Sequence, residues 1–190
     1  VYGRGLNGLR FKKNLIIDAG NSGTFARLFC GLISGYENEI TLKGDKSLSK
    51  RDFSRVMKPL KLFGVNFKSK NNKLPLKILG SSFLRPIYYF EKKGSAQVKS
   101  AILLSSLNTP GKTVIDCIKS RDHTELMLKN SLKLPIKIKK EKKTEKIEIY
   151  GKKNFYNFDY DIPGDISSAA FFIVLTILSK NSRLLIKNVN

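Results

Sequence analysis

One order of strand and helix patterns occurs twice in this chain, and it constrains the fold more than any other feature. Short apolar runs typical of strands alternate with amphipathic segments typical of helices. Along the chain they give strand–helix–strand–helix–strand–strand, followed by the same series again. The two copies differ too much to form a sequence repeat, so the order predicts a repeated α/β structural unit.

The boundaries of the predicted elements follow from these runs and from the polar turns between them. Strands are expected at residues 15–17, 39–43, 65–68, 76–79, 87–90 and 113–117, with a hairpin over 136–150 and a last strand over 184–189. Helices are expected at residues 25–33, 52–63, 95–107, 125–132 and 167–178. Gly64 is typical of a C-cap for the second helix. The last helix is apolar on all sides, which is typical of a buried helix.

The length of 190 residues, 41% of them hydrophobic, allows one domain with a sizeable core or one domain and part of another. A composition shift near residues 157–163 predicts a domain boundary. Cys30 and Cys117 lie in apolar surroundings, which predicts buried thiols, and together with His123 alone they cannot build a zinc site. The longest apolar run, residues 169–178, is too short to span a bilayer, and no signal-peptide pattern opens the chain. We therefore expect a cytoplasmic protein.

The formal net charge of +21 predicts an anionic partner: nucleic acid, an acidic membrane surface, or small phosphorylated or carboxylated ligands. The lysines are scattered through loop-like stretches, so the charge alone does not choose among these partners. The Lys-rich hairpin over residues 136–150 is typical of two strands with one solvated face, and an RNA-binding ribbon is the alternative. A nucleic-acid-binding face interleaves aromatic and basic residues, whereas Phe53, Phe63 and Phe171 fall on the core faces of predicted helices.

A Gly-rich turn connects the first predicted strand to the first predicted helix, with the sequence DAGNSGTFAR at residues 18–27. The free N–H groups and the dipole of a helix N-terminus favour bound anions. Gly23 lets the backbone approach a ligand, Ser22 or Thr24 can cap the helix, and Arg27 can add a guanidinium. The spacing matches neither a Walker A loop nor GxGxxG, so an ordinary capped helix is the alternative.

Four such polar turns precede helices, and each carries groups suited to binding anions. They are NSGT at residues 21–24, KR at 50–51, SAQ at 95–97 and SRDH at 120–123. If the repeated units pack side by side, these helix starts converge on one pocket, where Arg51 and Arg121 can bind carboxylate or phosphate groups in bidentate fashion. Ser95 and Gln97 would add neutral hydrogen bonds that fix the orientation of a ligand. Taken singly, each turn is also explained as a capped helix start.

Taken together, the turns resemble those of the 5-enolpyruvylshikimate-3-phosphate synthase (EPSP synthase) family. The matching motifs are GNSGT at residues 20–24 with Arg27, GDKSLSKR at 44–51, SAQVKSA at 95–101, SRDHTE at 120–125 and PGDISSAAF at 163–171. The second, third and fourth motifs are specific to this synthase and differ from the related UDP-N-acetylglucosamine enolpyruvyl transferase. The resemblance covers almost the whole chain but less than half of a full family member, so we expect a fragment.

This resemblance implies transfer of the enolpyruvyl group of phosphoenolpyruvate to the 5-hydroxyl of shikimate 3-phosphate, with release of phosphate and without a metal or organic cofactor. The residues that it implies are Gly23, Arg51 and Gln97 for phosphoenolpyruvate, Ser95, Ala96, Gln97 and Arg121 for shikimate 3-phosphate, and Asn21, Thr24 and Arg27 as supports of the first turn. The catalytic acid and base of the family lie outside the matched motifs, so no catalytic residue is expected in this chain. His123 is interpreted as structural.

The family fold implies an inside-out α/β barrel, in which βαβαββ units place their helices inside and their sheets outside. Residues 1–158 are expected to form most of the first domain, and residues 159–190 the beginning of a second, similar domain with a poorly ordered tail. Where the family usually has proline after the arginine that matches Arg51, this chain has Asp52. Its carboxylate is expected either to cap the following helix or to weaken the field of Arg51.

For the whole enzyme, the resemblance implies a monomer that binds neither nucleic acid nor membranes. Sensitivity to glyphosate is expected as well, since a residue larger than Gly23 would narrow the phosphoenolpyruvate site. The alternative from another class is a basic nucleic-acid-binding module, or a relative of the RNA 3′-phosphate cyclases, whose fold is related.

Overall fold

The computed structural model describes residues 2–6, 8–152 and 158–189. The first unit consists of β1 (Leu15–Asp18), α1 (Gly23–Leu32), β2 (Glu39–Lys43), α2 (Ser54–Phe63), β3 (Asn66–Lys68) and β4 (Leu76–Leu79). The second consists of β5 (Tyr88–Glu91), α3 (Ala96–Leu107), β6 (Gly111–Ile118), α4 (His123–Leu126), β7 (Ile136–Lys140) and β8 (Thr144–Gly151). The predicted βαβαββ order, repeated once, is confirmed.

Each unit builds a four-stranded sheet, and the strand order is the same in both: β1-β2-β4-β3 and β5-β6-β8-β7. The first two strands of each sheet are parallel, and the remaining pairs are antiparallel. A parallel pair requires a crossover connection, which α1 supplies in the first unit and α3 in the second. Both crossover helices therefore begin beyond the carboxyl end of a strand.

The helices lie inside and the sheets outside, as predicted. Helices α1, α2 and α3 pack against one another, and α3 also packs against β6 and β8. In the first sheet, Leu76 and Ile78 are buried while Lys77 between them is exposed, so one face covers the helices and the other faces solvent. A hydrogen bond of 2.7 Å between the hydroxyls of Ser34 and Ser105 joins the α1 region to α3 inside this core. With two sheets present, the barrel is not closed.

The second helix of the first unit, α2, and that of the second unit, α4, end in different ways. Gly64 adopts a left-handed conformation with φ of 112° and ends α2, which confirms the predicted C-cap. A helical segment is present where a helix was predicted at residues 125–132, but it is not a regular α-helix, since α4 covers four residues and continues as a π-helical turn, Met127–Ser131. In that turn the amide of Leu132 donates to the carbonyl of Met127 at 3.2 Å, and the wider turn redirects the chain toward β7.

Residues 158–189 belong to a separate compact unit, Phe158–Asn190. It contains α5 (Ile166–Leu178), whose first turn is capped by the Asp165 carboxylate, which accepts from the amide of Ser167 at 3.0 Å. The predicted burial of this helix is wrong, because none of its residues is buried and the Phe171 side chain is 81% exposed. The predicted last strand is wrong as well, since Val189 makes only an isolated bridge to Gly164. Within residues 158–189 no second helix or strand ladder covers α5.

Candidate functional site

Hydrogen bonds tie the Gly-rich turn to the loop that follows β2. The Asn21 side-chain amide donates to Asp45 Oδ2 at 2.5 Å, and the Asp45 amide donates to the Gly20 carbonyl at 2.8 Å. The other carboxylate oxygen of Asp45 accepts from the amide of Leu48 at 2.7 Å. The bonds that the carboxylate accepts, from Leu48 foremost and then from Asn21, lower the pKa of Asp45, because they stabilise the charged form. Asn21 thus supports the turn, and the same contacts fix the loop that carries Arg51.

Helix α1 begins at Gly23, which is buried beside two guanidinium groups. Ser22 is the N-cap, and its hydroxyl accepts a backbone hydrogen bond of 3.1 Å, so Thr24 is left free for another contact. A Cβ atom at Gly23 would lie 2.7 Å from Arg27 Nη1 and 3.1 Å from Arg51 Nη1. The absence of a side chain therefore leaves room between the first turn of α1 and these two cations.

The side chain of Gln97 is held at both ends of its amide. Arg27 Nη1 donates to Gln97 Oε1 at 3.1 Å and to the Gly23 carbonyl at 3.2 Å, while Gln97 Nε2 donates to Thr24 Oγ1 at 2.7 Å. The Arg27 guanidinium in turn lies over the Phe53 ring, 4.9 Å from its centroid. Arg27 and Thr24 thus orient Gln97 and join the starts of α1 and α3. The amide keeps a free lone pair and a free N–H for a ligand.

The same region carries more positive charge than the protein neutralises. Arg51 is exposed, and its guanidinium makes no hydrogen bond and no ion pair with any residue in the described part of the chain. Burial, followed by the charges of Arg51 and Arg55, lowers the pKa of Arg27. The carboxylate of Asp52 accepts from the amide of Ser54 at 2.5 Å, so it stabilises the start of α2 rather than pairing with Arg51. An anionic ligand would relieve the repulsion among these cations.

A buried glutamate fixes the start of α3. Ser95 is the N-cap of this helix, and its hydroxyl accepts from the amide of Val98 over a long 3.4 Å. The amide of Ser95 donates to Glu91 Oε2 at 2.8 Å, while Glu91 Oε1 pairs with Arg55 Nη2 at 3.1 Å. Glu91 is 4% exposed. The start of α3 is therefore anchored to α2 through one carboxylate, and the weakly bonded Ser95 hydroxyl remains open to a ligand.

A cavity of about 180 Å³ lies where the starts of α1, α3 and α4 meet. The residues that line it are Thr24, Leu28, Ala96, Gln97, Ser100, Arg121, His123 and Thr124. Arg121 is exposed and, like Arg51, has no hydrogen-bond or ion-pair partner among the described residues. The structure thus brings Ala96, Gln97, Thr24 and Arg121 together at one cavity. It places Gly23, Arg27 and Arg51 around the neighbouring turn.

Three buried charged residues behind this cavity were missed by sequence reasoning. Lys99 of α3 contacts Glu125 of α4 and Glu145 of β8, and all three side chains are buried. For Glu145, the charged composition of the hairpin led to the prediction of a solvated face, whereas Lys99 and Glu125 were given no role. A signal was nevertheless present, because the alternation in β8 places Glu145 on the same face as Ile147 and Ile149, which point into the core.

The two cysteines are buried, as predicted, and burial raises the pKa of each thiol to about 12. Within residues 2–6, 8–152 and 158–189, no group of three or more His, Cys, Asp or Glu side chains is arranged to hold a metal ion. Over the same ranges, every helix is too short or too polar to cross a membrane.

Comparison with known proteins gives one consistent result. The sequence profile of EPSP synthase (3-phosphoshikimate 1-carboxyvinyltransferase) matches residues 2–190. The chain is 40% identical over 193 residues to a 3-phosphoshikimate 1-carboxyvinyltransferase of Streptococcus agalactiae. This alignment covers 100% of this chain and 44% of the relative. A protein of the same name from Thermotoga sp. is 44% identical over 172 residues, covering 90% of this chain and 39% of the relative.

The fold comparison agrees with the sequence comparison. A structure of EPSP synthase from Acinetobacter baumannii superposes with a TM-score of 0.77 and 35% identity, covering 99% of this chain and 42% of that protein. A second structure of EPSP synthase from the same organism gives a TM-score of 0.75 and 37% identity, over 92% of this chain and 39% of that protein. The chain spans less than half the length of these relatives, and it belongs to the EPSP synthase family.

Proposed function

We propose that this chain is part of a 3-phosphoshikimate 1-carboxyvinyltransferase, which moves the enolpyruvyl group of phosphoenolpyruvate onto the 5-hydroxyl of shikimate 3-phosphate and releases phosphate. The observation that carries the proposal is a pair of exposed arginines, Arg51 and Arg121, whose guanidinium groups make no hydrogen bond or ion pair with the described residues and lie beside two helix starts that Gln97 joins. Both substrates are small polyanions with a phosphate and a carboxylate. Guanidinium groups and helix N-termini bind such groups.

Phosphoenolpyruvate is assigned to the turn before α1. Gly23 would contact the ligand through its backbone. The ligand would occupy the space in which a Cβ atom at this position would lie 3.1 Å from Arg51 Nη1. Arg51 would bind the anionic end of the ligand, since its guanidinium has no partner among the described residues. The surplus of positive charge around Arg27 supports an anion at this point.

Shikimate 3-phosphate is assigned to the cavity between α3 and α4. Ser95 and Ala96 would bind it at the start of α3, and Arg121 would bind it from the facing loop. Gln97 would contact both ligands, because its amide lies between the two assigned positions and is already oriented by Arg27 and Thr24. Holding two reactants in a fixed mutual orientation is a large part of catalysis in a two-substrate reaction.

In the reaction, the 5-hydroxyl group gives up its proton to a base and its oxygen forms a bond to C2 of phosphoenolpyruvate, while C3 gains a proton from an acid, which gives a tetrahedral intermediate. Loss of phosphate from C2 and of a proton from C3 then restores the double bond. The groups that move these protons are assigned to parts of the enzyme beyond residues 1–190. The residues of this chain are assigned to binding, to orientation and to stabilisation of the phosphate charge as it leaves.

The proposal includes the organisation of the whole enzyme. Residues 1–158 would be most of its first domain and residues 159–190 the beginning of its second. The enzyme would act in the cytoplasm as a monomer, with its two substrates as ligands and without a nucleic-acid or membrane partner. Sedimentation of the full-length enzyme with and without RNA would test the monomeric state and the absence of RNA binding.

A two-dimensional NMR titration of the chain with shikimate 3-phosphate at moderate salt tests the assignment. We expect shifts at residues 95–97 and 121 that disappear in Arg121→Ala, with weak affinity because only part of the enzyme is present. Inorganic phosphate and a short RNA serve as controls. Diffuse shifts over β7 and β8 that RNA reproduces more strongly would contradict the proposal and favour a nucleic-acid-binding function.

A further inference from the structure

Three charged side chains meet in the interior of the second unit, and we call them the Lys99 triad. Lys99 Nζ lies 2.5 Å from Glu125 Oε1 and 2.6 Å from Glu145 Oε1. The side chains of Lys99, Glu125 and Glu145 are 1%, 1% and 3% exposed. They come from α3, α4 and β8, so one ammonium group links three elements that are distant in sequence.

An apolar filling would be the simpler solution at this position. Burying charges is costly even when they are paired, and a buried ion pair often adds less stability than well-packed apolar side chains. Here two carboxylates share one ammonium group, and neither oxygen of Glu125 has a hydrogen-bond partner among the described residues, since Oε1 contacts Lys99 Nζ only as an ion pair. The next polar atom is Cys117 Sγ, 3.6 Å from Glu145 Oε1. A gain in stability is therefore a weak explanation for the presence of the triad. Ion pairs do, however, fix the direction and distance between side chains better than apolar contacts do.

The position of the triad suggests what its geometry serves. Lys99 lies one helical turn after Ser95, and its amide donates to the Ser95 carbonyl at 3.1 Å. Glu125 lies one turn after Arg121 at the start of α4. A hydrogen bond of 2.7 Å between the hydroxyls of Ser100 and Thr124 adds a second link between the same two elements. The triad thus lies directly behind the two sides of the cavity.

We propose that the Lys99 triad is a positioning element for shikimate 3-phosphate: it sets the spacing between the start of α3 and the loop that carries Arg121. This inference rests on the proposed function, because it concerns the same cavity. The phosphoenolpyruvate side is held by different contacts, those of Asn21 with Asp45 and of Arg27 with Gln97. A positioning role therefore predicts that the two substrates respond differently when the triad is broken.

Isothermal titration calorimetry of the full chain, with each substrate separately, measures the two affinities and tests this difference. In Lys99→Met we expect the affinity for shikimate 3-phosphate to fall about tenfold or more, and that for phosphoenolpyruvate to stay within about twofold. The matched control is Lys77→Met, which removes an exposed lysine that pairs with Glu39 at 3.3 Å in the first unit. It should leave both affinities within about twofold.

Two substitutions of Glu125 keep the inference testable if Lys99→Met fails to fold. Glu125→Gln preserves the shape of the side chain and an oxygen that can accept from Lys99, so affinity for shikimate 3-phosphate should stay within about threefold of the unaltered chain. Glu125→Ala removes the contact altogether, and we expect about a tenfold loss for the same ligand.

The outcomes separate this inference from the proposed function. An equal loss of affinity for both substrates would show a purely structural role and overturn the inference, as would unchanged affinity for shikimate 3-phosphate in Lys99→Met or Glu125→Ala. Either result leaves the proposed function standing. If the unaltered chain binds neither substrate, the proposed function fails, and the inference fails with it.

Discussion

The two βαβαββ units share one strand order but fill their interiors differently. In the first unit α2 is ten residues long and buries Val56, Leu60 and Phe63. In the second unit the corresponding α4 has four residues and buries Glu125, which pairs with Lys99. The same topology is thus filled once by apolar contacts and once in part by an ion triad.

This difference teaches what each kind of interior supplies. Apolar contacts give stability in proportion to buried area and tolerate small displacements. Charged contacts depend more strongly on geometry and penalise displacement, because a buried carboxylate that loses its cation is costly. The unit with the charged interior is also the one in which Arg121 lies just before the short helix α4 and lines the cavity.

The largest expected effect comes from breaking the charged interior. Lys99→Met should lower the free energy of unfolding by about 3–5 kcal/mol, because two carboxylates remain buried without a cation. The exposed pair in the first unit gives the control: Lys77→Met should cost about 0–1 kcal/mol. Urea unfolding followed by circular dichroism measures both. Equal costs for the two variants would remove the distinction between the units.

A second change would convert the charged interior into an apolar one. The combined variant Lys99→Met, Glu125→Leu and Glu145→Met keeps approximate volume and leaves no unpaired charge. Replacements of this kind are neutral or stabilising by about 1–4 kcal/mol, so the variant should unfold at least as late in urea as the unaltered chain. If it is as unstable as Lys99→Met alone, the triad contributes stability that apolar packing cannot replace.

A third change concerns the first unit and its binding turn. Gly23→Ala places a methyl group 2.7 Å from Arg27 Nη1 and 3.1 Å from Arg51 Nη1, so the guanidinium groups must move. These atoms are the ends of two long side chains, so folding should change little, whereas the methyl group occupies the space assigned to phosphoenolpyruvate, and we expect its affinity to fall about tenfold. Calorimetric titration with each substrate measures it, and shikimate 3-phosphate affinity should fall by less, because it is affected only through the contact of Arg27 with Gln97. A larger loss for shikimate 3-phosphate would contradict the division of the site between the units.

The smallest expected effect is a pH dependence confined to the second unit. Burial raises the pKa of Glu125 above 4.5, so between pH 4.5 and its folded-state pKa the folded chain binds more protons than the unfolded chain. The carboxyl group of Glu125 therefore lowers the free energy of unfolding as the pH rises through that range. The titratable groups around it are Lys99 of α3, Glu145 of β8 and, in contact with Glu145, Cys117 of β6.

Glu125→Gln removes that titration. The unfolding free energy of the variant minus that of the unaltered chain should increase from pH 4.5 toward neutrality and then level off. Thermal melts at several pH values give the comparison. A difference that stays constant or decreases over this range would mean that the carboxyl group of Glu125 is not destabilised by its burial.

Local patterns were enough to predict most of the fold and the parts of the site that lie on one turn each. The order of the elements, the C-cap at Gly64 and the helix after the Gly-rich turn depend on short sequence spans, and all three are present, although α1 begins at Gly23 rather than at the predicted residue 25. Of the four turns predicted to converge on one pocket, those before α1, α3 and α4 line one cavity, whereas Arg51 lies beside the neighbouring Gly23.

The remaining features depend on contacts between residues far apart in the chain. Lys99 and Glu145 are 46 positions apart, so nothing near either residue shows that it is buried beside the other. The length of α4 was overestimated because the π-helical turn after Leu126 satisfies the backbone in another way. The apolar pattern of α5 indicated a helix correctly, but burial requires a covering element, and residues 158–189 contain none.

The most direct test of the central claim is to measure by calorimetry how each substrate binds to Arg51→Ala and to Arg121→Ala. In the proposed function each substrate is bound by one of these arginines, and loss of one charge-assisted hydrogen bond is worth about 1.5–3 kcal/mol, or roughly 10- to 150-fold in affinity. Arg51→Ala should lose that much for phosphoenolpyruvate alone, and Arg121→Ala for shikimate 3-phosphate alone. If each variant weakens the binding of both substrates equally, or of neither, the two units do not divide the substrates between them, and the assignment of one arginine to each substrate is wrong.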